Sequence, residues 1–457
     1  MRTSRGLWLV GIVKVDFWIC YGARRVAQEF DLVEISQYKT LRDDIAGVSV
    51  AELAANYGGT PLFVYDAAKI IQRCAQLRPV GVVRFAQKAC PNIAVIKLVK
   101  EQGVLVDAVS AGEILRALAA GYRPEEIAYT ADIFDQDAID LVVGKARGCV
   151  VNVGSNDMIE QLGLRLGDSA KGFEITVRIN PGFGHGHSRK TNTGGDLSKH
   201  GVWFEQLDES LALAKKYGMT ITGAHMHIGS GSDFEHLATV CGAMEKTVRA
   251  LGPQIKTISC GGGLPIPYQS GEEFIDLEKF AALWRETVSK LEKEFGHSIT
   301  FEVEPGRYIV AESCYLVAQI RAIKKQAENL FYLVDAGFTH LARPMMYGSY
   351  HPISIARNPA NGPVAVDEEV DAVVGGPLCE SGDVFTQSEG GYVEKRRLPA
   401  ARVGDYLVLE VAGAYGAAMS SNYNSKFLAP EVLIQDGVAK LIRKKQSFEH
   451  LIANEIF

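Results

Sequence analysis

The chain has 457 residues, 47% of them apolar and 22% charged, with a formal charge of −6, the balance of a soluble globular protein with room for two domains. That charge offers no electrostatic footprint for nucleic acid or an anionic membrane, and the apolar run Gly6–Val13 is too short to span a bilayer. Eight cysteines are scattered singly with no CxxC pair, which argues for reduced thiols in a cytoplasmic protein and against a disulfide framework or a zinc site.

Taken in chain order, residues 1–36 fit no folded unit and read as an over-long translation start or a disordered tail. Lys14 and Asp16 interrupt the apolar run and no small-residue cleavage site follows, so a signal peptide is not expected. A β-rich segment, 60–65, comes next. From about residue 80 to 305 short β-rich runs alternate with amphipathic stretches: strands are predicted at 82–87, 104–109, 127–130, 150–153, 175–180, 221–228, 257–260 and 300–303. Between them lie helix-like segments such as 93–101, 112–120 and 157–166. The second of these opens on Ser110-Ala-Gly-Glu113, a capping box, and stops at Gly121. Eight alternating units predict a closed (β/α)8 TIM-type barrel over 69–310. Beyond Glu304 the rhythm changes to strands without helices at 315–322, 330–334, 370–374 and 406–411. Two more, 431–435 and 438–442, flank the hairpin signal Asp436-Gly437, and a terminal helix is predicted at 448–456. This is a second, mostly antiparallel β domain, formed by 311–457 with 37–68.

In such a barrel reactive groups gather at the carboxyl ends of the strands. Lys88 follows the first strand, Asp107 lies late in the second and Arg178 late in the fifth. The sixth carries GAHMHIGSG (223–231), the seventh runs into CGGGLPIPY (260–268) and the eighth into EVEPGRY (302–308). Each piece has two readings. Gly261, Gly262 and Gly263 either offer consecutive N–H groups to a phosphate or make a tight turn; Ser230 and Gly231 can add to the same anion site. His225 and His227 point to one face of a strand; His227 can stack on an aromatic cofactor, whereas His225 reads as a core histidine. Glu304, if buried, needs a partner, and a protonated ring nitrogen would serve. Arg307 reaches a phosphate or a substrate carboxylate, or is a solvated rim arginine. A lysine able to condense with an aldehyde, a phosphate cradle, a stacking imidazole and a carboxylate for a ring nitrogen together meet the needs of pyridoxal 5'-phosphate. A metal-dependent hydrolase built on the His225/His227 pair is the remote alternative. It would need further ligands at strand ends that instead carry Arg178, a glycine triplet and Glu304; no metal is therefore expected.

The strings FAQKACPN, DAVSAGE, HMHIGSG, GGGLPIPY, EPGRYIV, VDAGF, GPLCESGDVF and GAYGAAMSSNYNS, in this order, closely resemble the diaminopimelate decarboxylase family, in the alanine-racemase-like (fold-type III) group of pyridoxal phosphate enzymes. The resemblance spans roughly residues 48–457. It implies decarboxylation of meso-2,6-diaminopimelate to L-lysine and CO2, the last step of lysine biosynthesis, by a homodimer with shared active sites. By motif, Lys88 resembles the cofactor-linking lysine and His227 the stacked imidazole. Ser230, Gly261–Gly263 and Tyr415 resemble the phosphate ligands, and Glu304 the pyridine partner. The resemblance makes Cys379 a proton donor reaching the site from the neighbouring subunit and Glu380 the partner of the distal ammonium. Arg307, Arg343, Tyr347 and Tyr415 resemble the remaining substrate contacts, and Lys199 with Asp383 a salt bridge between subunits. Arg343 can also grip a carboxylate bidentately, which together with Glu380 suits a substrate whose far end is a second amino-acid head. Decarboxylation or racemisation of another basic or diacidic amino acid on the same fold is the nearer alternative. Two features depart from the common pattern: Cys90, where many relatives carry asparagine, and the polar loop 182–201, whose histidines 185, 187 and 200 read as loop residues.

Overall fold

The computed structural model describes residues 38–184, 193–228, 233–362 and 368–456. Eight parallel strands close into a barrel: Val82–Ala86, Leu105–Ala108, Ile127–Ala131, Val150–Val153, Glu174–Asn180, Thr220–His225, Thr257–Ser259 and Thr300–Val303. Closure comes from the pairing of Thr300–Val303 with Val82–Ala86, in register Glu302 to Val82 and Val303 to Val83. Helices cross between the strands, as the right-handed parallel connection requires. Two of them show how local sequence sets their ends. Asn92 accepts the Ala94 N–H and opens Ile93–Glu101. Ser110 accepts the Glu113 N–H and opens Ala111–Ala119, which ends beside Gly121 at φ 92°. The Glu113 carboxylate reaches one residue further back than a simple capping box, to the Val109 N–H at 2.8 Å.

The barrel is polar inside. Side chains alternate across a strand, and Ala86, Asp107, Thr130, Arg178, His225 and Glu304 face one common pocket, while Val83, Phe85, Val106 and Val303 are buried in the hydrophobic core. Arg84 shares the inward face with Ala86. It is 4% exposed and meets Glu302 in a two-pronged contact, Nε to Oε2 at 2.8 Å and Nη2 to Oε1 at 2.8 Å, which offsets the cost of burying both charges. The arginine that breaks the first apolar run is thus an interior layer of the barrel beneath the pocket.

The second unit is the mixed, mostly antiparallel sheet expected from the sequence. Its long strand Cys314–Gln326 pairs with Asn329–Val334, with Tyr406–Leu409 and with Leu62–Asp66, the segment that precedes the barrel. Glu431–Gln435 runs parallel to Leu62–Asp66, and Glu369–Gly375 parallel to Asn329–Val334. The chain therefore contributes Leu62–Asp66 to this sheet, builds the barrel, and returns. The hairpin at Asp436-Gly437 joins Glu431–Gln435 to Val438–Arg443, and the terminal helix is shorter than expected, Phe448–Leu451. No helix among the described residues is long and apolar enough to cross a membrane.

Candidate active site

The carboxyl ends of the barrel strands surround a pocket lined by Lys88, Asp107, Arg178, His225, His227, Gly262, Gly263, Glu304, Arg307 and Tyr415, among others. Lys88 stands on a single 3₁₀ turn, Gln87–Ala89, that ends the first strand. That turn is held from both domains. Tyr415 donates its backbone N–H to Ala89 O at 2.9 Å, and Gly306 packs so closely on the Ala86 carbonyl that a Cβ there would stand 2.9 Å from it. Tyr415 itself adopts φ 61°, a conformation that costs a non-glycine residue on the order of 1 kcal/mol and persists where surrounding contacts over-determine it. Cys90 follows the turn. It is 2% exposed, its Sγ lies 3.6 Å from Tyr65 Oη, and burial pushes its thiol up to about 12. It is an inert packing residue between the domains.

Glu304 is buried, and both carboxylate oxygens are engaged: Oε2 with His225 Nε2 at 2.9 Å, Oε1 with the Ser259 hydroxyl at 2.7 Å. Burial alone would raise its pKa, but the attraction of His225 and these hydrogen bonds prevail and hold it below the ordinary carboxylate range. Asp107, 2% exposed, goes the other way: burial, then the nearby Glu304 charge, pushes it well above its ordinary value against the opposing pull of Lys88. Its Oδ1 has no hydrogen-bond partner, an orphaned acceptor aimed into the pocket.

The glycine triplet is used differently from the simplest expectation. The Gly261 N–H goes to Ser259 Oγ at 3.2 Å, and the Gly262 N–H goes to His227 Nδ1 at 3.2 Å. Two of the three amides therefore position side chains rather than stand open. A Cβ on Gly261 would lie 2.5 Å from His227 Cβ, and one on Gly262 would lie 2.4 Å from the Glu304 carbonyl oxygen, so both glycines are required by close approach. Since Nδ1 of His227 accepts, its other nitrogen carries the proton in a neutral ring. Burial and then the neighbouring Lys88 lower its pKa well below the usual value, which keeps the imidazole neutral as a stacking surface. His225 is a buried histidine whose Nε2 bonds Glu304, while its Nδ1 has no hydrogen-bond partner.

Toward the β domain Arg307 and Arg343 converge. Arg343, 6% exposed, opens the short helix Arg343–Tyr347, which places Tyr347 at its end. Three further predicted positions lie elsewhere. Cys379 and Glu380 are exposed on their own chain and are not among the lining residues of the Lys88 pocket. Asp383, by contrast, is 5% exposed and accepts the backbone N–H groups of Leu378 at 2.8 Å and Phe338 at 2.7 Å; it closes the Cys379 loop within its own chain. Ser230, Gly231 and the loop histidines His185 and His187 fall outside the described residues, while His200 contacts Asp132, which also accepts the Gly201 N–H at 2.9 Å. Among the described residues no cluster of three or more His, Cys, Asp or Glu side chains could hold a metal ion.

The donor set fits pyridoxal phosphate. An amine, a neutral imidazole fixed by a backbone amide, an ionised buried carboxylate and an unpartnered Asp107 oxygen all face one cavity. Sequence reasoning passed over Ser259, which orients Glu304, and Tyr268 and His351, which touch the two arginines; only their pairing across distant segments makes them visible.

Comparison with known proteins agrees. Residues 67–311 match the family of the pyridoxal binding domain of pyridoxal-dependent decarboxylases. The chain is 49% identical over 421 residues to diaminopimelate decarboxylase of Escherichia coli K12, covering 90% of this chain and 97% of that protein. It is 50% identical over 414 residues to diaminopimelate decarboxylase of Streptomyces coelicolor, covering 90% and 92%. Among solved structures it resembles a crystal structure of diaminopimelate decarboxylase with TM-score 0.83 at 50% identity, covering 89% of this chain and 95% of the other. It also resembles the Helicobacter pylori diaminopimelate decarboxylase complexed with L-lysine, with TM-score 0.78 at 29% identity, covering 88% and 98%.

Proposed function

The chain belongs to the diaminopimelate decarboxylase family of pyridoxal-dependent decarboxylases, and from that membership we infer that it removes CO2 from meso-2,6-diaminopimelate, leaving L-lysine, the last step of lysine biosynthesis. When bound, pyridoxal 5'-phosphate supplies an electron sink for the pair left behind as the carboxylate departs.

The observation that carries the residue assignment is the convergence of Lys88, His227, Glu304 and the unpartnered Asp107 oxygen on one pocket. Lys88 is the amine that links the cofactor. Glu304, kept ionised by His225 and Ser259, would hold the cofactor by its pyridine nitrogen and favour the protonated form of that nitrogen. His227, neutral and pinned by Gly262, offers its flat face to the ring. Ser230, Gly263 and Tyr415 bind the phosphate, with Gly261 and Gly262 shaping the turn. Arg307, Arg343 and Tyr347 receive the distal carboxylate, and Glu380 the distal ammonium. Cys379 donates the proton that replaces CO2 at the D-configured carbon. Because Cys379 and Glu380 lie exposed and off the pocket of their own chain, they serve the second subunit of a homodimer.

Incubation of the purified protein with cofactor and meso-diaminopimelate should release CO2 and lysine in equal amounts. Lys88→Ala should abolish both turnover and the visible absorbance of the linked cofactor. A cofactor-loaded protein that forms no lysine overturns the substrate assignment; a variant that keeps the visible band moves the linkage to another lysine.

A further inference from the structure

Arg307 and Arg343 bring two guanidinium charges into one mostly buried region. Among the described residues neither has a carboxylate within ion-pair distance. What they share is a single oxygen. Arg307 Nη1 donates to Tyr268 Oη at 2.7 Å, and Arg343 Nη1 donates to the same atom at 3.1 Å. The tyrosine ring lies under both cations, with the guanidinium carbons 5.7 and 5.0 Å from its centroid. We propose that Tyr268 is a positioning residue of the carboxylate site: its hydroxyl oxygen is a built-in acceptor that holds the two arginines together and aimed before a diacid arrives.

Four features support this. First, the contact uses one nitrogen of each guanidinium, so the remaining N–H groups of Arg307 and Arg343 are left for a ligand; the tyrosine orients the fork without filling it. Second, two like charges at close range in a buried setting repel strongly, and an oxygen accepting from both offsets that repulsion. Third, the same Arg343 nitrogen is held by a second acceptor. His351 is 2% exposed; its Nε2 accepts from Arg343 Nη1 at 2.9 Å while its Nδ1 bonds the Glu410 carbonyl at 3.0 Å, and its ring meets Tyr268 edge-on, with centroids 5.7 Å apart at 80°. Fourth, Tyr268 is tied to the pocket: it follows the Gly261–Gly263 turn by five residues, its N–H is held by the Glu272 carboxylate at 2.6 Å, and Tyr38 Oη bonds the preceding Pro267 carbonyl at 2.6 Å. Although burial opposes it, Arg343 and then Arg307 lower the pKa of the phenol, consistent with an oxygen that acts as the negative end of the cluster.

The inference rests on the reading of Arg307 and Arg343 as the distal-carboxylate site, and the test separates the two. Holoenzyme is titrated calorimetrically with pimelate, the seven-carbon diacid that lacks both amines, in wild type, Tyr268→Phe, Arg343→Gln and the double variant. Tyr268→Phe keeps the ring and removes the oxygen. It should bind pimelate at least tenfold more weakly and raise KM for meso-diaminopimelate about tenfold, with kcat within twofold and the cofactor absorbance unchanged. Because the tyrosine acts through the arginine, adding Tyr268→Phe to Arg343→Gln should cost less than twofold more. Tyr268→Met, which also lacks the oxygen, should repeat the result and stands in should the phenylalanine variant fail to fold. Pimelate affinity and KM within twofold of wild type, or full additivity in the double variant, overturn the proposal. Tyr268-dependent pimelate binding without lysine formation would overturn the substrate assignment and leave the positioning role standing.

Discussion

His227, His340 and His351 share one electrostatic condition. Each is kept neutral by burial, reinforced by a nearby cation: Lys88 at His227, Lys426 at His340 and Arg343 at His351. His340 shows the cause plainly. It is 3% exposed, its Nδ1 accepts the Gly337 N–H at 3.3 Å, and its Nε2 bonds the Phe427 carbonyl at 3.3 Å. Its pKa falls to about 4. A depressed histidine takes up its proton in the unfolded chain first, so the native state holds fewer protons below the ordinary value near 6.5. Stability is therefore full above about pH 6.5 and is lost as pH falls, by roughly 1.4 kcal/mol per pH unit for each such histidine, and about 3 kcal/mol in all for His340 by pH 4. Urea unfolding between pH 7.5 and 5 should show this decline, and His340→Gln should make it shallower by that histidine's share even if it lowers stability at pH 7.5. An unchanged slope in the variant would mean that His340 is already protonated in the folded protein. At this scale the sequence reveals residue types but not neighbours. Lys88, His227 and Glu304 stand out because each sits at a predicted strand end. Tyr268 meets Arg343 across 75 residues, and no local pattern signals that.

Strands and turns are where the sequence is most readable. Strands 150–153 and 300–303 carry compact β-branched runs and fold as read. The short strands Ile353–Ala356 and Arg396–Pro399 escape notice, because four residues beside proline or bearing two arginines give no alternation to detect. The glycine turn illustrates the limit. Three glycines after a strand imply close approach, but only the structure says to what. At Gly262 the neighbour is the Glu304 carbonyl, a backbone atom that cannot swing aside. Gly262→Ala should therefore displace the turn that pins His227, destabilise by about 1–3 kcal/mol and weaken cofactor binding tenfold or more in a spectroscopic titration. Gly242→Ala is the matched control: it lies in the helix Phe234–Leu251 with nothing within 4 Å of an added Cβ, and it should be neutral or stabilising by up to about 1 kcal/mol. Equal loss in both would remove the special role of the Gly262 contact.

At the scale of the whole molecule, the two units are wound together, and the site needs both. The strand Leu62–Asp66 enters the β sheet before the barrel begins, Asn92 beside the lysine turn bonds Glu431 of that sheet at 2.9 Å, and Tyr415 clasps Ala89. Yet one chain does not complete the chemistry proposed for it, since the thiol that would deliver the proton is on an exposed loop. That loop is not loose. Asp383 closes it, Cys379 donates its N–H to Asn424 Oδ1 at 2.8 Å, and the exposed side chains Met345 and Tyr423 flank it. A preformed loop bordered by exposed apolar groups fits a two-fold interface in which each copy completes the other's pocket. Co-expression of Lys88→Ala with Cys379→Ala tests this. Each variant alone lacks a required group in both sites. In a random mixture half of the dimers are mixed, and each mixed dimer holds one intact site, so activity should return to about one quarter of wild type. If Cys379 serves its own chain, every site in the mixture still lacks either the amine or the thiol, and co-expression restores nothing.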